Sequence, residues 1–184
     1  QTAFSKKIEA ARRVYVDPDA IRRMTRRTCE ASAVEAPDGF ELRFSLLSMI
    51  ECLQKSRERL FDLESWPIAD ASLCGEEVLR AIVLGAKQSG ANVRLRFGLS
   101  RKTTSWAHYR AVAEIALEPE FRRDLCGLDV LGFAPKRFPE TYAAELRTLV
   151  ERLRAELPDL VIHAGECLNG YPESYPRDSL RSAL

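Results

Sequence analysis

The chain has 184 residues, of which 46% are hydrophobic and 30% are charged, a composition typical of one folded globular domain. Its 28 Lys and Arg residues nearly balance its 27 Asp and Glu residues, and the formal net charge of +1 excludes the global basic field that recruits nucleic acid or an anionic membrane. No apolar run approaches the roughly 20 residues of a membrane-spanning helix.

The cysteines indicate the compartment. Their number is odd, they are scattered, and no two form a Cys-x-x-Cys pair, which argues against a disulfide scaffold or a zinc ribbon. We therefore expect free thiols in a reducing compartment, the cytoplasm. The five cysteines are Cys29, Cys52, Cys74, Cys126 and Cys167.

The first 35 residues are predicted to be helical. Apolar residues recur at helical spacing from Phe4 to Tyr15, and Asp17 followed by Pro18 is typical of the cap and first turn of a second helix. That second helix is predicted to run through Ile21 and Thr28. A turn at residues 36–39 then separates this helical part from the strands that follow.

The first predicted strand, Phe40 to Phe44, alternates strictly between apolar and charged residues. Glu41 and Arg43 therefore share the face opposite the apolar one, where we expect them to form an ion pair. Charges are costly inside a core strand unless they are paired. The strand is thus either at the edge of its sheet or part of a polar barrel mouth.

The rest of the chain alternates between helices and strands, a pattern that predicts βαβ crossovers and a parallel sheet. Residues 45–66 carry no clear pattern and stay unassigned. Arginines 94, 96 and 101 are expected to be barrel-mouth or surface charges. The later predicted elements are a helix Glu76–Ser89, a strand Asn92–Leu99, a helix Trp106–Leu117, a strand Leu125–Phe133, a helix Thr141–Leu157 and a strand Leu160–Ile162.

The most informative stretch runs from Leu160 to Glu166. A short apolar strand ends at His163, and Glu166 follows three residues later, after a glycine that lets backbone approach a ligand. On a barrel rim, this spacing lets a metal ligand and a proton donor face one pocket. The same residues are also compatible with a core histidine followed by a solvated glutamate.

Three motifs together resemble the adenosine deaminase family, in order and roughly in spacing. They are Gly39-Phe40-Glu41-Leu42-Arg43-Phe44-Ser45, Gly127-Leu128-Asp129-Val130-Leu131-Gly132 and Leu160-Val161-Ile162-His163-Ala164-Gly165-Glu166. They correspond to the second, fourth and fifth strands of that family's zinc-dependent (β/α)₈ barrel. The resemblance implies that residues 1–184 are a partial barrel domain of parallel (β/α) units, about strands 2 to 5, with a helical N-terminal part at residues 1–35.

The resemblance also implies an activity, the zinc-dependent hydrolysis of adenosine or a related purine nucleoside to inosine and ammonia. His163 would be a zinc ligand, and Glu166 would be the acid that protonates the purine ring. Gly132 would offer its backbone to the bound nucleoside, and Asp129 would support the substrate site.

The departures from the family are equally definite. The family's His-x-His pair on the first strand is absent, and the only other histidine is His108, in a predicted helix. Phe133 and Ala134 stand where many relatives carry acidic residues. Because a catalytic zinc takes about three protein ligands, we expect these 184 residues alone to be inactive.

Two explanations remain open. Gln1 is not an initiator methionine, and residues 177–184 are typical of the start of a further barrel helix, so the chain is expected to be the middle of a longer deaminase. The alternative is a catalytically inactive relative that serves as a structural or interaction subunit, with a protein partner covering its open sheet edges.

Overall fold

The structure is a computed structural model that describes residues 17–58, 61–100, 105–131, 140–157 and 159–162. The predicted helix from Phe4 to Tyr15 and the helix expected near Arg177 lie outside these residues. The elements, in chain order, are α1 (Pro18–Glu35), β1 (Phe40–Ser45), α2 (Leu46–Arg57), α3 (Ile68–Gln88), β2 (Val93–Ser100), α4 (Trp106–Glu114), α5 (Pro119–Arg122), β3 (Leu125–Leu131), α6 (Glu140–Glu156) and β4 (Asp159–Ile162). Short 3₁₀ turns occupy Leu63–Ser65 and Ile115–Leu117.

The four strands form one sheet in the order β1-β2-β3-β4, and every neighbouring pair is parallel. The predicted α/β class with a parallel sheet is therefore confirmed. Each crossover steps in the same direction along the sheet. Because crossovers are right-handed, this order brings the connecting helices to one face, whereas a doubly wound sheet reverses direction and is covered on both faces.

The two faces of the sheet differ accordingly. One face carries apolar side chains that pack into the core with the helices, among them Phe44, Phe97 and Leu128. The rings of Phe44 and Phe97 pack edge to face, with their centroids 6.0 Å apart. The opposite face carries charged side chains from β1, β2 and β3. We call this second surface the polar face.

Helix α1 begins where its sequence predicts. Asp17 is the N-cap, its carboxylate accepts a hydrogen bond of 2.6 Å from the Ala20 amide, and Pro18 occupies the first turn. Its buried stripe, which includes Ile21 and Cys29, lies against α3. Gly85 of α3 allows this approach, since a Cβ placed there would lie 2.5 Å from the Arg22 carbonyl oxygen.

Two helices differ from the sequence prediction. Residues 46–57, unassigned by pattern, form α2, whose buried side chains include Leu46, Ile50 and Leu53. Helix α3 begins at Ile68 rather than at Glu76. Helix α2 follows β1 without an intervening turn, and Ser45 makes no side-chain capping hydrogen bond, so no start signal marks the helix. In the first turns of α3, the apolar Ile68 and Leu73 are exposed, which blurs the helical period.

We expect Gly85→Ala to lower the free energy of unfolding by about 1–3 kcal/mol, because the new methyl group displaces the backbone of α1. Gly75→Ala, in the same helix, is the matched control. Its Cβ would meet the terminal methyl of Ile115 at 2.5 Å, which can rotate away, so we expect a change within about 1 kcal/mol. Urea unfolding measures both, and equal effects would contradict the predicted backbone contact.

Candidate functional site

The polar face has two rows of residues that run across the strands. The first row aligns Arg43 with Arg96, Gly127 and Asp159, and the second row, nearer the carboxyl ends of the strands, aligns Ser45 with Gly98, Asp129 and Val161. Parallel α/β enzymes keep their chemistry at the carboxyl ends of the strands. The second row is therefore the closer of the two to a candidate site.

A buried guanidinium lies at the centre of the first row. The Arg96 side chain is only 5% exposed, and its Nε and Nη2 donate hydrogen bonds of 2.9 Å each to the two carboxylate oxygens of Glu41. Arg94 Nη2 donates a further bond of 2.9 Å to Glu41, but its side chain is 61% exposed. Glu41 thus neutralises a charge that would be very costly to bury alone.

Arg96 also reaches two strands away. Its Nη1 donates a hydrogen bond of 3.0 Å to the Asp159 carbonyl oxygen on β4, passing over β3 at Gly127. A Cβ at Gly127 would lie 2.7 Å from Arg96 Nη1 and 2.2 Å from the Asp159 carbonyl oxygen. Glycine is thus required at this position. We call Arg96, Glu41, Gly127 and Asp159 the Arg96 network.

Asp129, predicted to support the substrate site, lies in the second row and is 1% exposed. Arg43 Nη1 lies 3.6 Å from its Oδ2, and Arg43 Nη2 lies 3.8 Å from Glu41 Oε2. The predicted pair of Glu41 and Arg43 is therefore present, although Arg96 is the closer partner of Glu41. Arg43 connects the two rows.

The other predicted site residues lie outside the described part of the chain. They are Gly132, which follows the last residue of β3 in the sequence, and His163 and Glu166, which follow the end of β4. Phe133 and Ala134 lie outside it too. Of the predicted site residues, Asp129 is therefore the one that the structure describes.

His108 has a structural role. The residue is buried in α4, its Nε2 lies 2.5 Å from the Trp66 carbonyl oxygen, and its Nδ1 lies 2.6 Å from Ser105 Oγ. Because a carbonyl oxygen can only accept, Nε2 donates to Trp66, and in the neutral imidazole Nδ1 accepts from the serine hydroxyl. Both ring nitrogens are used, so His108 is not available to a metal in this structure.

The described residues do not fit a zinc site. Within them, no three His, Cys, Asp or Glu side chains form a group that could hold a metal ion. Glu41 lies among three arginines, and Asp129 lies beside the guanidinium of Arg43, an arrangement that opposes a further cation. Zinc ligands would have to come from His163 and from other residues outside the described ranges.

The described cysteines are free thiols, as predicted. Cys29, Cys52, Cys74 and Cys126 form no disulfide, and Cys167 lies outside the described residues. Burial raises the thiol pKa of Cys29, Cys74 and Cys126, which keeps these thiols protonated and weakly nucleophilic. Cys29 and Cys74 belong to the hydrophobic core.

The chain matches no family model and no curated protein. Within the described ranges, no helix is both long enough and apolar enough to cross a membrane.

Sequence reasoning missed the Arg96 network. Arg96 is expected from the sequence to be a barrel-mouth or surface charge, but it is buried, whereas Arg94 is exposed as expected. The available signals were the alternation of charges in two strands, Glu41 with Arg43 and Arg94 with Arg96, and a glycine inside β3. The alternation indicated a shared face but not the depth of either arginine.

The hydrogen bond from Arg96 holds the pKa of Glu41 below its ordinary value of 4.5, and the nearby arginine charges add to this effect. The carboxylate therefore contributes its stability above the ordinary pKa and loses it as the pH falls through the lower pKa of the folded protein. We expect Glu41→Gln to destabilise the protein by about 1.5–3 kcal/mol near neutral pH.

We expect that difference from the wild type to shrink as the pH falls below 4.5. Urea unfolding at a series of pH values measures it. Glu35→Gln, at the exposed end of α1, is the control for removing a carboxylate outside the Arg96 network, and it should destabilise the protein less than Glu41→Gln near neutral pH. A difference for Glu41→Gln that stays constant down to a pH of about 3 would contradict the assignment.

Proposed function

We propose that the chain belongs to an adenosine-deaminase-like barrel that hydrolyses the 6-amino group of adenosine or a related purine nucleoside, giving inosine and ammonia. In this proposal the described strands are the second to fifth strands of the barrel. The observation that carries it is the sequence His163-Ala164-Gly165-Glu166 directly after β4, at the carboxyl end of a parallel strand.

The sheet supports the barrel part of the proposal. Its strands follow in sequence order, its helices pack on one face, and the opposite face is lined with charged residues. In a closed barrel, the face that the described helices leave uncovered becomes the interior. The Arg96 network would then lie in the lower part of that interior, and Asp129 one row nearer the mouth.

The residues that follow the strands would carry the chemistry. In the family that the chain resembles, zinc supplies a hydroxide near neutral pH. Glu166 would donate a proton to the purine ring nitrogen beside the attacked carbon, which requires a pocket that keeps its carboxyl group protonated. Gly132 would contact the nucleoside through its backbone, and Asp129 would support the pocket from β3.

The proposed zinc would be held by His163 together with ligands outside the described residues, since the polar face does not fit a cation. The free thiols of the described cysteines are in keeping with a reducing, cytoplasmic setting. The substrate is the only small-molecule partner that the proposal requires.

A second candidate is a catalytically inactive relative that acts as a structural or interaction subunit. The observation that favours it is His108, because one of the two histidines in the sequence is engaged on both ring nitrogens by Trp66 and Ser105. In this case a protein partner would cover the outer edges of β1 and β4, the end strands of the described sheet.

The test uses the full natural polypeptide and three variants. We expect His163→Ala to lose zinc and activity together, because a ligand is removed. We expect Glu166→Gln to retain zinc and to lose about 10²–10⁴-fold in kcat, because the proton donor is removed. His108→Asn is the matched histidine control and should retain zinc.

Zinc content by elemental analysis and ammonia release from adenosine are the measurements, with circular dichroism confirming that each variant is folded. Normal turnover by Glu166→Gln would contradict the catalytic assignment. A folded wild-type protein with neither zinc nor turnover would favour the inactive relative.

A further inference from the structure

The Arg96 network places one side chain in contact with three strands besides its own. Arg96 donates to Glu41 on β1, lies against Gly127 of β3 and donates to the Asp159 carbonyl on β4. Its Nη1 is also 3.5 Å from the Leu128 carbonyl oxygen, and its Nη2 lies 3.8 Å from Asp159 Oδ2. Among the described side chains of the polar face, Arg96 alone contacts both end strands of the sheet.

Arg96 gives β4 a second attachment to the sheet. Within the described residues, β4 pairs with β3 alone. A strand held along one edge opens more readily than a strand that further interactions also fix. The bond from Arg96 is made to Asp159, the first residue of β4, and so fixes the strand where it enters the sheet.

The geometry also explains why an arginine is needed. The planar guanidinium offers Nε and Nη2 to the carboxylate of Glu41 and keeps Nη1 for the carbonyl of Asp159. A lysine carries one ammonium group, which cannot make the two-oxygen bond to β1 and reach β4 across Gly127 at once. Arg94, by contrast, donates to the same carboxylate but, among the described residues, makes no hydrogen bond or ion pair with β4.

We propose that Arg96 is a positioning residue, which fixes β4 against β3 and thereby sets the strand end that continues in sequence to His163. The catalytic part of this statement rests on the proposed function. The part that concerns β4 rests only on described contacts. The two parts can therefore be tested separately.

The first experiment is hydrogen exchange followed by mass spectrometry on the full natural polypeptide. We expect Arg96→Lys to accelerate exchange in β4 by about tenfold or more relative to β1 and β2, because a charge-assisted bond to Asp159 is lost. Arg94→Lys, on the same strand and face, is the matched control and should leave β4 within about twofold of the wild type.

Unchanged exchange in β4 of Arg96→Lys, or equal acceleration in all four strands, would overturn the proposal. If Arg96→Lys does not fold, hydrogen exchange in the wild-type protein still tests the proposal. The proposal requires β4 to exchange together with β3, and exchange of β4 that is much faster than that of β3 would contradict it.

The second experiment measures kcat and KM for adenosine. Arg96→Lys should lower kcat by about tenfold or more while KM changes less, since a misplaced strand end affects the chemical step more than binding. Arg94→Lys should retain both constants. Faster exchange in β4 with unchanged kcat would show that Arg96 is structural only and would overturn the positioning role.

The outcomes also separate this proposal from the proposed function. A wild-type protein that releases no ammonia would contradict the proposed function. The exchange of β4 in Arg96→Lys would still decide whether Arg96 fixes that strand.

Discussion

The burial of the Arg96 guanidinium restricts how the four strands can be aligned. A charge at this depth is tolerated only when it is paired and its donors are satisfied, and both requirements are met by groups from other strands. Glu41 supplies the carboxylate, Asp159 supplies a carbonyl oxygen, and Gly127 supplies the space between them. Because these residues are far apart in sequence, the network forms only when the strands are in register. A shift of one residue would move Arg96 to the helix-covered face.

The two faces of the sheet have different roles, since one packs against the helices and the other carries the charged residues. The apolar face joins the helices in a core that includes Phe97, Leu128 and Leu153. The polar face carries paired charges at its lower row and Asp129 one row higher, towards the ends at which parallel sheets build their sites. Consecutive strand order with helices on one face is the arrangement of a barrel wall, which is why the resemblance to adenosine deaminases and the geometry of the sheet support the same proposal.

Local patterns predicted much of this fold. Asp17 with Pro18 located the start of α1, and the alternation in Phe40 to Phe44 located β1 and its two faces. Patterns failed at α2, which follows β1 without a turn or a side-chain cap to mark its start, and in the first turns of α3, where the exposed apolar residues Ile68 and Leu73 obscure the period. The Arg96 network could not be predicted because its depth depends on the pairing of four strands. At the candidate site, only Asp129 of the predicted residues is described, so the roles of His163, Glu166 and Gly132 still depend on the motif itself.

The proposed deaminase activity depends on the motif that follows β4 in the sequence. The most direct measurement is the conversion of adenosine by the purified natural polypeptide supplied with zinc, with inosine and ammonia quantified together. The account predicts equimolar inosine and ammonia and the loss of both on chelation of the metal. A folded, zinc-supplied protein that produces neither inosine nor ammonia would contradict it.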